Sequence, residues 1–244
     1  MGTITPDALT SETRFKSPAG THATNAVSGP VPAARYLVEA IGTFLLVFTV
    51  GAAVAGRSPL APLAIGASLM VMVYAGGHVS GGHYNPAVTL AVLVRRRIGL
   101  RDAIAYWIVQ FGAGVLAALV VYAVVDPIST AKPITLTLSG ASLVAGFVVE
   151  LIFTFALCYV VLNVATSKSH PDNSFYGLAI GFTVVAGAVA VGGISGGAFN
   201  PAVTLGAAVM QMFAWPTLWV YVVAQVIAGA AAGVAFRALN RDDK

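Results

Sequence analysis

Charge and cysteine are what this sequence has little of. Asp, Glu, Lys and Arg together make up 9% of its 244 residues, and there is a single cysteine, Cys158. Soluble domains carry about 25% charged residues. A chain so short of charge cannot clothe a water-facing surface, which excludes a soluble enzyme, a nucleic-acid binder and a disordered protein. One cysteine excludes an internal disulfide and a multi-cysteine metal site. Cys158 lies in an apolar run and reads as a small buried packing residue. No pair of residues suggests covalent or acid–base catalysis, so the expectation is a non-enzyme with neither cofactor nor metal. The first residues lack the apolar core of a secretory signal. Pro6 stands where a myristoylation site after Met1-Gly2 needs Ser or Thr. Residues 1–32, rich in Ser, Thr, Pro and Ala, read as a disordered cytoplasmic N-terminal tail, and 238–244 as a cytoplasmic C-terminal tail.

What the sequence has is apolar length. Hydrophobic residues make up 58% of the chain, with 26 glycines, and the mean hydropathy is +0.86. Tyr36–Gly56 is 21 residues with one charge, Glu39; Ala103–Val125 is 23 with none; Pro133–Ser167 is 35 with one, Glu150. A helix needs about 20 residues to cross a bilayer, so each of these runs holds one span. Ser58–Val94 is 37 residues without charge and Asn173–Phe236 is 64. Both are wrong for whole spans and fit one span plus a half, and two spans plus a half. The expected fold is an all-α integral membrane protein of six transmembrane helices and two re-entrant half-helices. With an even span count both ends share a side. That side receives 11 Lys and Arg residues and the other only Arg57 and Lys132, which puts the termini in the cytoplasm.

The chain repeats itself. His78–Leu90 reads HVSGGHYNPAVTL and Gly193–Leu205 reads GISGGAFNPAVTL, identical at nine of thirteen positions with an offset of 115. The same offset pairs Tyr106, Gln110 and Gly114 with Tyr221, Gln225 and Gly229, and a slightly smaller one pairs Glu39 and Thr43 with Glu150 and Thr154. Each half, 33–125 and 140–237, holds three spans. Three is odd, so the second half enters the bilayer from the opposite face, and such inverted repeats place a permeation or binding site at the midplane.

Asn85-Pro86-Ala87 and Asn200-Pro201-Ala202 each follow a glycine-rich stretch. Asn is a strong N-cap, and Pro suits the first helical position because its missing N–H costs nothing there. From Asn85 to Arg95 is ten residues, about 15 Å of helix and half the hydrocarbon core. With the Arg95–Arg97 cluster at the interface, Asn85 reaches the midplane; Asn200 reaches it from the other side, with Trp215 and Trp219 as interfacial anchors. Two positive helix ends then meet at the bilayer centre. Each capping Asn uses its carbonyl oxygen on the backbone, leaving its NH₂ for the oxygen of a passing solute. Such a site conducts neutral solutes while repelling cations and breaking the proton path.

These motifs over residues 33–237 resemble the aquaporin, or major intrinsic protein, family: paired NPA boxes, SGGHYNPAVTL, Glu and Thr in the first and fourth spans, VQ and AQ in the third and sixth. The resemblance implies a six-helix bundle with two half-helices, assembled as a homotetramer with one pore per subunit. It also implies a selectivity filter of four residues, which by position are Ile65, Ala188, Gly197 and Val203. Water-selective members usually carry Arg where Val203 stands, although some plant vacuolar-membrane members carry Val. Glycerol facilitators carry Asp and a basic residue where Thr204 and Ala208 stand. The filter here is therefore expected to be wide and apolar.

Glu39 and Glu150 are the only charges inside spans. They read either as proton-relay groups of a coupled transporter or as acceptors supporting the glycine-rich loop of their own half; His83 reads as a structural loop histidine or a pH-sensitive gate. The primary reading is a passive channel for water and small uncharged solutes such as glycerol, urea, ammonia or hydrogen peroxide, in the cell (inner or plasma) membrane. The alternatives are a proton-coupled secondary transporter using Glu39 or Glu150, and a structural membrane protein with a closed pore.

Overall fold

The computed structural model describes residues 31–129 and 134–243. The expected disorder of the N-terminal tail falls outside these residues, apart from Val31 and the start of the first helix at Pro32. The sides assigned to Arg14, Lys16, Lys132 and Lys244 fall outside them too.

Among the described residues eight α-helices follow one another: α1 (Pro32–Ala55), α2 (Ala61–Ser80), α3 (Pro86–Val94), α4 (Leu100–Val120), α5 (Ala141–Ala165), α6 (Tyr176–Ser195), α7 (Pro201–Val209) and α8 (Leu218–Leu239). α4 continues as a π-helical turn, Val121–Val125, and α8 is preceded by a 3₁₀ turn, Trp215–Thr217. Six of the helices are long and apolar enough to cross a membrane. The other two, α3 and α7, have nine residues each. At 1.5 Å per residue they reach about halfway through the hydrocarbon. The fold is thus six membrane helices and two half-helices.

Large apolar side chains such as Ile108, Val144, Ile152 and Val189 are exposed. In water such a surface would aggregate, whereas lipid is the solvent that suits it. The buried set inside the bundle includes polar groups from Glu39, Gln110, Glu150 and Gln225, all of which must find partners within the protein.

Small residues bring the two halves together. A Cβ built on Gly66 of α2 would lie 2.5 Å from the Gly181 carbonyl oxygen of α6, and one on Gly181 would lie 2.5 Å from Gly66 O. Only glycines permit that crossing, as in close-packed membrane helices generally. The half-helices are seated in the same way. Gly229 of α8 abuts the Ala87 carbonyl at the start of α3, and Gly114 of α4 abuts the Ala202 carbonyl at the start of α7. Both contacts obey the 115-residue offset of the repeat.

Candidate functional site at two opposed half-helices

Asn85 and Asn200 cap the half-helices as their sequence context requires. Asn85 Oδ1 accepts from Ala87 N at 2.8 Å, and Asn200 Oδ1 accepts from Ala202 N at 2.9 Å. Pro86 and Pro201 take the first helical position. The amide nitrogens do something the sequence reading did not foresee. Asn85 Nδ2 donates to Phe199 O at 2.9 Å, and Asn200 Nδ2 donates to Tyr84 O at 2.9 Å. The NH₂ groups are therefore not wholly free, contrary to the expectation from sequence. Each uses one hydrogen to bind the chain just before the opposite Asn, because inversion brings the two loops face to face. An amide has two N–H bonds, so one per Asn remains.

The loops ahead of the caps are held by the intramembrane carboxylates. Glu39 Oε1 accepts from Ser80 Oγ (2.7 Å) and His83 N (2.9 Å), and its Oε2 accepts from Tyr84 N (2.7 Å) and Gln110 Nε2 (2.9 Å). Glu150 repeats the set with Ser195 Oγ (2.8 Å), Ala198 N (2.9 Å), Phe199 N (2.9 Å) and Gln225 Nε2 (2.9 Å). Four donors saturate each carboxylate, and both residues are fully buried. Tyr84 and Phe199 sit at φ 47° and 48°, a region rarely used by large side chains. Their conformation persists because the amide is fixed by the Glu of its own half and the carbonyl by the Asn of the other. Gly81, Gly82, Gly196 and Gly197 also have positive φ, which lets the loops turn back towards the midplane.

Gln110 and Gln225 appear in the sequence as a repeated pair and among the motifs of the resemblance, without an assigned role. Each bridges its carboxylate to the half-helix, donating also to Thr89 Oγ1 or Thr204 Oγ1 at 3.0 Å. The threonines bond back to the carbonyl of the capping Asn. Tyr106 and Tyr221 donate to the carbonyls of Ser80 and Ser195. The constant offset is the signal that marks all three pairs as parts of one repeated scaffold. His83 is buried, with Nδ1 3.0 Å from Thr89 Oγ1 and its ring edge-on to Tyr106.

One cavity of about 200 Å³ runs beside both caps. Asn85, Asn200, Ile65, Ala188, Gly197 and Val203 all line it, so the four filter candidates and the two asparagines face the same space. Gly82, Gly196 and Gly197 have no side chain, so there it is the backbone that lines the wall. Among the described residues, His83, Asn85 and Asn200 are its only polar side chains, and none of those lining it is acidic, Lys or Arg. Pro86, Ala87, Pro201 and Ala202 are buried outside it, as helix starts. Ile134, Leu136, Met212 and Phe213 line the cavity as well. They come from two connecting segments joined by Leu136 N to Met212 O (2.7 Å) and Ala214 N to Leu136 O (3.0 Å). A second cavity, about 360 Å³, adjoins residues 165–168 and Arg97, and shares His83 and Val161 with the first. Among the described residues no cluster of His, Cys, Asp or Glu could hold a metal ion.

Residues 31–236 match the major intrinsic protein family. The chain is 38% identical over 219 residues to glycerol uptake facilitator protein-like 6 of Lactiplantibacillus plantarum, covering 86% of this chain and 99% of that protein. It is 36% identical over 204 residues to aquaporin NIP1-4 of Oryza sativa subsp. japonica, covering 81% and 73%. Over 217 residues it is 36% identical to probable aquaporin TIP2-2 of the same plant, covering 83% and 85%. The X-ray structure of the aquaglyceroporin from Plasmodium falciparum superposes with a TM-score of 0.71 at 20% identity, over 84% of this chain and 95% of that one. Fold, repeated site and relatives agree: this multi-pass membrane protein belongs to the major intrinsic protein family.

Proposed function

We propose that the protein is a passive channel for water and small uncharged solutes, with Ile65, Ala188, Gly197 and Val203 as its selectivity filter. The observation that carries this reading is a cavity that touches those four residues and both Asn85 and Asn200, with no charged side chain among the described residues that line it. A neutral solute crossing it meets apolar walls, exposed backbone and one spare N–H from each asparagine. A cation meets two helix N-termini, each carrying about half a positive charge, and no carboxylate. Glu39 and Glu150 are loop supports whose acceptor positions are filled, which leaves them no part in a proton relay. His83 is a loop histidine between the two cavities.

Without an arginine at position 203 the filter is apolar, which admits glycerol, urea, ammonia or hydrogen peroxide beside water. The names of the relatives, which include both aquaporins and a glycerol uptake facilitator, fit such mixed selectivity. The channel domain is residues 33–237, with repeats 33–125 and 140–237. The arginine-rich end faces the cytoplasm of a cell membrane by the charge rule, and the working form is a homotetramer by family resemblance.

The test is osmotic shrinkage of proteoliposomes under sorbitol, glycerol and urea gradients. A channel gives fast, unsaturated, pH-independent fluxes. Saturating flux driven by a proton gradient would instead make Glu39 or Glu150 a coupling group, and flux no greater than that of empty liposomes would make this a structural protein.

A further inference from the structure

A third cavity, about 650 Å³, lies between the C-terminal end of α3 and the last turns of α8. Arg95, Arg96, Arg237 and Arg241 line it, together with Val234 and Asp243. Four guanidiniums thus face one carboxylate, and that carboxylate is fully engaged. Asp243 accepts from Arg95 Nη2 (2.6 Å), Arg97 Nη2 (3.4 Å), Ser167 Oγ (3.0 Å) and Lys168 N (2.8 Å). The side chains of Arg96, Arg237 and Arg241 are exposed and have no hydrogen-bond or ion-pair partner among the described residues.

Arg95 is the exception that points to a ligand. Its side chain is only 2% exposed and its guanidinium lies over the Phe236 ring at 4.4 Å. Its Nε–H is buried with no acceptor among the described residues. A buried donor left unpaired is costly, so an acceptor oxygen entering this cavity would be favoured. The guanidinium fork matches the oxygens of a phosphate group. Val234 lies one turn before Arg237 on the same face of α8 and is 59% exposed. Apolar surface and arginines therefore succeed one another at the end of a membrane-crossing helix, the order in which a lipid presents its chain and its phosphate.

We propose that this cavity binds the phosphate of an anionic membrane lipid. Arg96, Arg237 and Arg241 hold phosphate oxygens, Arg95 Nε–H gains its acceptor, and Val234 meets the glycerol and acyl part. Free phosphate shares the anionic chemistry but offers nothing to Val234.

Native mass spectrometry of the full-length protein in detergent tests this, with phosphatidylglycerol, phosphatidylcholine and inorganic phosphate as probes. Phosphatidylglycerol should be retained in preference to phosphatidylcholine, and millimolar phosphate should not displace it. The double variant R237Q/R241Q should lower phosphatidylglycerol retention by about thirtyfold. R237K/R241K should recover part of that loss, and R57Q, at the opposite end of α1, should change nothing. Retention equal to wild type in R237Q/R241Q, with helical circular dichroism intact, overturns the proposal. So does displacement of the lipid by inorganic phosphate, which would make the ligand a free anion.

Discussion

Val203 puts an isopropyl group into the cavity beside Ile65, Ala188 and Gly197, where an arginine would narrow the passage and add a fixed cation. In Val203→Arg, glycerol flux should fall at least several-fold and water flux by much less. Equal losses of both, or no loss of either, would show that position 203 is not part of the filter. A different residue tests the accounting of buried polar groups. Thr154 Oγ1 is buried in α5 without a partner among the described residues. An unpaired buried hydroxyl costs about 1–3 kcal/mol, and replacing it by an apolar group of the same shape is neutral or better. Thr154→Val should therefore leave the unfolding temperature in detergent unchanged or raise it. A fall of several degrees would mean that the hydroxyl has a partner.

The half-helices depend on the carboxylates behind them. Glu150 takes four hydrogen bonds, two of them from the loop that ends at Asn200 and one from Ser195, the last residue of α6. In Glu150→Gln one acceptor becomes a donor facing Phe199 N–H or the Gln225 amide. A buried bond network broken in this way should cost about 2–3 kcal/mol, and thermal stability and water flux should fall together. If flux survives while only its pH dependence changes, Glu150 acts in proton transfer. Much at this level was legible in the sequence. Asn before Pro states a helix start, the glycines ahead of it state an irregular approach, and ten residues to the arginine cluster state the depth. The bond from each Asn to the opposite loop was not legible. It joins residues 114 and 116 positions apart, and only the three-dimensional inversion of the halves puts them in register. Leu136 against Met212 and Phe213 was hidden for a similar reason, since neither segment carries a motif.

In the molecule as a whole, charge-free runs and one constant offset were enough to read six spans, two half-spans and their inversion, because lipid forbids almost every other arrangement of such a chain. In the C-terminal segment the structure buries Asp243 against Arg95, Ser167 and Lys168. That pairing spans 148 positions and has no periodic signal. It ties the end of α3 to the connection between α5 and α6, at the rim of the second cavity. Burial alone would raise the Asp243 carboxyl, but the Lys168 amide, the Ser167 hydroxyl and the Arg95 guanidinium outweigh it and hold the carboxyl below its ordinary value of 3.8. The tie is therefore complete above that value and is lost as pH falls through the lower folded-state value. Protection of the Lys168 amide from hydrogen exchange, corrected for the intrinsic rate at each pH, should persist from pH 7 to about 5 and disappear only at more acid pH. Asp243→Asn should weaken it already at pH 7. Protection that already fades near pH 6 would show that Asp243 does not control this tie.

The most direct measurement is the osmotic water permeability of proteoliposomes holding the wild-type chain, followed by stopped-flow light scattering over a range of temperatures. A lumen between Asn85 and Asn200 gives shrinkage well above that of empty liposomes, with an activation energy close to that of water diffusing in bulk. Shrinkage at the empty-liposome rate, with the steep temperature dependence of water crossing lipid, would contradict it.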